Sequence, residues 1–335
     1  MSSPKWQATA DLFREFQALG RASLLADLQD SHSGNMAVRR RNERGEDEIV
    51  ITATGSQKGD LEPSQICFLS ATETDYGYYK ASSETDIHAR ILGLPGVRAS
   101  MHAHLKDLIL ATLDDAPKPS KPPDFVPVDP LAFHALGAAL PVDWFAVPSG
   151  SPELARTIPE RLAGHPLTII FGHGAMAKGR NLREAFYRLC VGNYAGSVVR
   201  AMEKLRVDVA AVRRAVAADP GRAFAAPPPA YSVEDDDRSD FREEEEILGE
   251  FVKAGHRVFE SRLSPFHTGS MSVRGVDAML YAPKASMPRD VGGPLLSVPL
   301  APDPADDAET ALHKAIYTAS DFQTVMHCHV AEAEA

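Results

Sequence analysis

Apolar positions along the first thirty residues recur at helical spacing. Leu12, Phe13, Phe16, Leu19 and Leu24 predict an amphipathic helix over about residues 8–28. Three short strand-like runs follow, at residues 35–39, 49–52 and 65–69. Ser82 and Ser83 ahead of Glu84 have helix-starting chemistry and predict a helix to about Leu92. Residues 97–104 read as a strand, and residues 167–171 as a short buried strand that ends in Gly172-His173-Gly174. A long amphipathic helix is predicted over about residues 182–216. Alanines and prolines then mark a linker, and an acidic run from Glu234 to Glu246 reads as a solvated helix start.

The pattern then begins again. Met101-His102-Ala103-His104 returns as Met326-His327-Cys328-His329, at an offset of 225. The same offset carries Glu84, Thr85 and His88 onto Glu309, Thr310 and His313. Upstream, Glu15-Phe16, Gly20, His32, Gly34, Met36 and Val38-Arg39 recur as Glu250-Phe251, Gly255, His267, Gly269, Met271 and Val273-Arg274, at an offset of 235. The sequence therefore predicts an internal duplication with ten residues fewer between the two blocks of the second copy. It divides into a complete domain at residues 1–217, a linker at 218–238 and a truncated repeat at 239–335.

Composition narrows the function classes. A net charge of −11 argues against nucleic acid as the main partner. Cys67, Cys190 and Cys328 lie far apart, have no zinc-finger spacing and read as reduced thiols of a cytoplasmic protein. No apolar run approaches a membrane span, and residues 1–6 show no export signal.

The chemistry concentrates in histidines. Residues two apart on a strand share a face, so His102 and His104 can reach one metal ion. His173, between two glycines at a strand end, is the third candidate. Three protein ligands with an open position is the pattern of a catalytic zinc site. His32, His134, His165 and His256 have no such context and read as structural.

Taken together, Ser33-Gly34-Asn35, Ile51-Thr52-Ala53-Thr54-Gly55 with Gly59-Asp60-Leu61, Ser82-Ser83-Glu84-Thr85 with His88, Met101-His102-Ala103-His104 and His173-Gly174 resemble the class II aldolase/adducin family, in its order and approximate spacing across about residues 10–205. The resemblance implies an α/β fold: a three-layer α/β/α domain around a central, largely antiparallel sheet, here with a partial second copy. It implies that His102, His104 and His173 hold a divalent metal, most commonly Zn2+, with Mn2+, Co2+ or Mg2+ as alternatives. It implies Glu84 as the acid/base, and Gly34, Asn35, Thr54, Gly55, Ser82 and Ser83 as the phosphate-binding residues. The implied activity is a metal-dependent lyase that cleaves a carbon–carbon bond, through an enediolate, in a small phosphorylated sugar or sugar acid. Decarboxylation, dehydration and epimerisation are the family's other chemistries, although glutamate at position 84 resembles the cleaving members more than the epimerase. A non-catalytic, adducin-like scaffold is the reading from another class. Members of the family form homo-oligomers, which implies a tetramer or a dimer of pseudo-dimers.

The second copy departs from this pattern. Gly34-Asn35 becomes Gly269-Ser270, and Ser82-Ser83 becomes Asp307-Ala308, which places a negative charge where an anion would bind. Glu309, His327 and His329 persist without a counterpart of His173. The expectation is weak or no metal binding in either a degenerate copy that stands in for a neighbouring subunit or a fragment whose sheet another chain completes.

Overall fold

The computed structural model describes residues 5–30, 32–70, 74–75, 80–113, 122–219, 245–264, 269–283 and 295–335. They belong to two compact units, Met1–Ala223 and Phe224–Ala335. The linker beyond residue 219, nearly all of the acidic run and the start of the proline-rich segment 117–127 lie outside the described residues.

The first unit begins with helix α1 (Lys5–Leu25), followed by strands β1 (Asn35–Arg41), β2 (Asp47–Thr52), β3 (Ile66–Ser70) and β4 (Thr74–Asp75). Then come α2 (Thr85–Leu92), β5 (Ala99–Ala103), α3 (Lys106–Thr112), α4 (Pro130–Leu136), β6 (Val142–Asp143) and α5 (Pro152–Gly164). Strands β7 (Leu167–Ile170) and β8 (Gly174–Gly179) and helices α6 (Leu182–Lys204) and α7 (Val209–Ala218) complete it. The strands form one sheet in the order β4-β3-β2-β1-β5-β8-β7-β6. Every neighbouring pair is antiparallel except β6 and β7.

Strand alternation divides the apolar residues between two helical layers. On one face Ala37, Ile51 and Met176 pack with Ile87 and Ile91 of α2 and with Leu154 and Ile158 of α5. On the other, α6 lies against β5 and β8, with α1, α3 and α4 around it. Gly196 fixes one of these crossings. A Cβ there would stand 2.3 Å from the backbone nitrogen of Leu108, so only glycine lets α3 approach α6 this closely.

The single helix expected at residues 182–216 is two. Arg206 takes a left-handed φ of +61°, and the Asp208 carboxylate accepts the Ala211 N–H at 2.9 Å to start α7. The apolar period continues through the break, which hides it from a periodicity reading. The aspartate N-cap is its local cause.

The second unit contains helix α8 (Glu245–Glu260), strands β9 (Ser270–Arg274), β10 (Ala278–Ala282) and β11 (Leu296–Pro299), helix α9 (Ala308–Ala319) and strand β12 (Thr324–His327). Its sheet order, β11-β10-β9-β12, is that of β3-β2-β1-β5. The register also agrees. Asn35 faces His102 and Met36 faces Met101 in the first unit, as Ser270 faces His327 and Met271 faces Met326 in the second. No helix among the described residues is long and apolar enough to cross a membrane.

Candidate active site

Antiparallel pairing gathers the candidate residues at one end of the first sheet. β1 starts there and β5 finishes there, with Asn35 opposite His102. β5 and β8 pair through Ala103 and Ala175, which brings the β7–β8 turn and His173 to the same end. α2 also starts there, with Glu84 as its N-cap residue.

His102 occupies the last full pair of β5, and His104 lies one residue beyond the strand. The rings of His102, His104 and His173 have centroids 4.7–5.1 Å apart, and one nitrogen of each lies within 4.8 Å of the others. His102 Nδ1 donates to the Ala175 carbonyl at 3.0 Å, which leaves its Nε2 as a lone pair. That nitrogen faces His173 Nε2 at 3.2 Å. Two imidazole lone pairs this close need a proton or a cation between them. Burial, then the neighbouring His102, pushes both His104 and His173 down to about 4. Neutral imidazoles with converging lone pairs fit a divalent, tetrahedral ion. Glycine is needed here too: a Cβ on Gly174 would meet the Ala103 carbonyl at 2.6 Å and the His102 ring at 2.8 Å.

Glu84 is buried behind the histidines, with Oε2 4.0 Å from His102 Nε2. Burial alone would raise its pKa. The opposing influence of His102, the Asn35 hydrogen bond, His88 and His173 wins, and the carboxyl is held below its ordinary value. It is therefore ionised at neutral pH.

Asn35 is placed differently from a phosphate-loop residue. Its buried Nδ2 donates to Glu84 Oε2 at 2.8 Å, and its Oδ1 accepts from His88 Nε2. Because an amide oxygen can only accept, His88 carries its proton on Nε2, and its Nδ1 accepts from the Ser100 hydroxyl at 2.5 Å. Burial drives His88 down to about 4, so this ring is neutral. A chain from Ser100 through His88 and Asn35 thus orients Glu84. The sequence reading gave His88, one of the residues that carry the family resemblance, no role, and it did not single out Ser100. The recurrence of His88 as His313 was the available signal.

Gly34 adopts a φ of +71°, and a Cβ there would stand 2.5 Å from the His102 carbonyl. Gly55, with a φ of +69°, is exposed. Thr54 Oγ1 donates to the Ala81 carbonyl at 3.2 Å and accepts the Ser83 N–H at 3.1 Å, so the 54–55 and 82–83 loops meet. Ser82 is buried and its hydroxyl accepts the Glu84 N–H at 3.3 Å, whereas Ser83 is exposed.

The second unit repeats the chain behind the glutamate with one exchange. Ser270 takes the place of Asn35, and its hydroxyl contacts Glu309 Oε1 at 2.5 Å and His313 Nε2 at 2.9 Å. His313 Nδ1 contacts the hydroxyl of Ser272 at 2.6 Å. Ala37 faces Ser100 in one sheet, and Ser272 faces Val325 in the other. The serine has changed strands while its imidazole partner is kept. Ser100→Val should therefore cost about 1–3 kcal/mol by leaving a buried ring nitrogen unpaired. Adding Ala37→Ser should recover most of that loss in thermal or denaturant unfolding. A double variant no more stable than Ser100→Val would show that the hydroxyl does not serve His88.

In the second unit the rings of His327 and His329 have centroids 4.9 Å apart. His327 Nδ1 is bonded to Glu309 Oε1 at 2.5 Å. Among the described residues, His102, His104 and His173 form the metal-competent group.

The first unit is thus a largely antiparallel sheet covered by helices on both faces, with three histidines and a buried carboxylate gathered at one end. Residues 14–198 match the profile of the Class II Aldolase and Adducin N-terminal domain, and the chain belongs to that family. It is 30% identical over 165 residues to the 5-methylthioribulose-1-phosphate/5-deoxyribulose-1-phosphate aldolase of Rhodospirillum rubrum, covering 47% of this chain and 66% of that protein. It is 27% identical over 163 residues to a Nocardia farcinica protein named "Probable bifunctional methylthioribose-1-phosphate isomerase/methylthioribulose-1-phosphate dehydratase", covering 46% of this chain and 29% of that protein. The chain thus spans less than two thirds of either relative's length. The crystal structure of a sugar-phosphate aldolase from Thermotoga maritima shares the fold, with a TM-score of 0.50 and 23% identity over 60% of this chain and 97% of that one.

Proposed function

We propose that the first unit is a metal-dependent aldolase that cleaves a small ketose phosphate. The observation that carries this reading is a buried, ionised carboxylate, Glu84, held 4.0 Å from His102 within the three-histidine cluster. His102, His104 and His173 would hold the ion, most commonly Zn2+. When bound, the ion supplies Lewis-acid polarisation of the substrate's carbonyl and stabilises the charge that develops on it.

The chain's own groups supply the proton chemistry. Glu84 accepts the proton of the hydroxyl beyond the scissile bond. The carbon–carbon bond breaks, that hydroxyl carbon becomes an aldehyde, and the electron pair stays with the ketone fragment. Glu84 then returns the proton to carbon. Asn35 holds the carboxylate by one oxygen, so it changes protonation state without changing place. Gly34, Gly55 and the exposed hydroxyl of Ser83 are suited to receive the phosphate, with Thr54 and Ser82 shaping the loops. In this reading Asn35 serves the glutamate more than the phosphate. The second unit is a partial copy of the same fold that has lost the metal centre, as the Glu309–His327 bond suggests.

Dehydration of the same class of substrate is the second reading, favoured by the Nocardia relative. The two differ in products. Zinc-loaded protein given 5-methylthioribulose 1-phosphate or 5-deoxyribulose 1-phosphate should release dihydroxyacetone phosphate and an aldehyde. Loss of water without cleavage would establish the dehydratase instead. No turnover of any ketose phosphate would leave the scaffold reading standing.

A further inference from the structure

At the other end of the same sheet, a cavity of about 680 Å3 is lined by Arg39, Arg40, Arg41, Arg98, Asp47 and the 93–97 loop. Arg98 precedes His102 by four residues on one extended segment, which sets the cavity roughly 13 Å from the histidines at strand rise.

The backbone places like charges together. The β1–β5 register continues past Val38 and Ala99, because the Arg39 N–H donates to the Arg98 carbonyl at 2.8 Å. Arg39 and Arg98 are therefore cross-strand partners on one face, and Arg41 shares that face two residues on. Like charges directly opposite each other destabilise a sheet unless something compensates them. The compensation within the protein is thin. Asp47 faces Arg41 and lies 3.9 Å from Arg39, with both side chains well exposed. Arg39 also donates to the Leu92 carbonyl at the end of α2, and Arg41 to the Gly45 carbonyl. No side-chain partner is found for Arg98 among the described residues. Arg40 also borders the cavity, but it alternates with Arg39 and Arg41 along the strand and its guanidinium is already paired with Glu48 at 2.7 Å.

The second unit provides an internal control. Arg39 corresponds to Arg274, whose N–H likewise donates to the Gln323 carbonyl at 2.8 Å and whose guanidinium caps the Ser320 carbonyl at 2.8 Å. The fold thus uses one arginine here as a helix cap in both units. The other two are absent from the second: Arg98 corresponds to Gln323, and Arg41 to Val276 in a shorter turn. Arg41 and Arg98 are not required to build the sheet. They concentrate positive charge in a chain whose net charge is −11.

We propose that Arg39, Arg41 and Arg98 form an anion-binding site, separate from the catalytic end, for a small molecule bearing several negatively charged oxygens. Guanidinium forks pair with phosphate and carboxylate oxygens alike. Polyphosphate esters and polycarboxylates are the two sources of that chemistry.

The test is calorimetric titration of the full chain with pyrophosphate and, separately, with citrate at low ionic strength. Arg41→Val/Arg98→Gln installs the residues of the second unit and should fold normally. Its affinity for whichever anion binds the wild type should fall at least tenfold. A His102→Ala/His173→Ala variant should retain that affinity, which separates this site from the proposed metal centre, while the loss in the arginine variant separates it from the proposed phosphate loops. Binding of pyrophosphate alone would identify a phosphate site, and binding of citrate alone a polycarboxylate site. The proposal is overturned if neither anion binds at millimolar concentration, if the arginine variant binds as tightly as the wild type, or if binding disappears with the histidines.

Discussion

Replacing His102 and His104 together by alanine is expected to strip the protein of its metal and reduce turnover to background. Two of the three residues are positioned independently of any ion: the His102 ring by the Ala175 carbonyl, and the His173 backbone by its N–H donating to the Ile170 carbonyl. Removing two of them should therefore empty the site without dismantling the sheet. Elemental analysis should show about one zinc per chain in the wild type, as expected for a single three-histidine centre, and close to none in the variant. His327→Ala should keep the full complement, because His327 is tied to Glu309. Metal retained by the first variant, or lost from the second, would move the centre to other residues.

Glu84→Gln should keep the metal and the fold while lowering turnover by about two orders of magnitude or more, the usual loss for a positioned acid/base. Glutamine matches glutamate in size and can still accept from Asn35 Nδ2, so the Ser100–His88–Asn35 chain can survive. What disappears is the group that takes and returns the proton. Circular dichroism and metal content unchanged alongside the kinetic loss would show that the effect is chemical. Full activity in this variant would remove Glu84 from the reaction.

Much of this was legible in the sequence because the signals were local or repeated. Strands β1, β2 and β3 appeared as short apolar runs, and the Ser82-Ser83-Glu84 segment announced α2. His102 and His104 share a strand face at a spacing of two, and His173 stands out by its flanking glycines and by the family resemblance. Other features depend on contacts that one-dimensional patterns do not carry. The family resemblance implies Asn35 as a phosphate-binding residue, whereas its side chain bonds to Glu84 and His88. Ser100 looked like an ordinary strand residue until the register set it opposite Ala37, beneath His88. The arginines at 39, 41 and 98 became one cluster only when β5 was paired with β1. The expected long helix at 182–216 failed at Asp208, where a capping side chain overrides a continuous apolar period.

Zinc-edge X-ray absorption of the zinc-loaded full chain would count the groups that hold the ion proposed for His102, His104 and His173. A three-histidine centre predicts three imidazole nitrogens at about 2.0–2.1 Å, a light-atom donor in the remaining position and no sulfur. Fewer than three imidazoles, or a zinc–sulfur shell at about 2.3 Å, would contradict it.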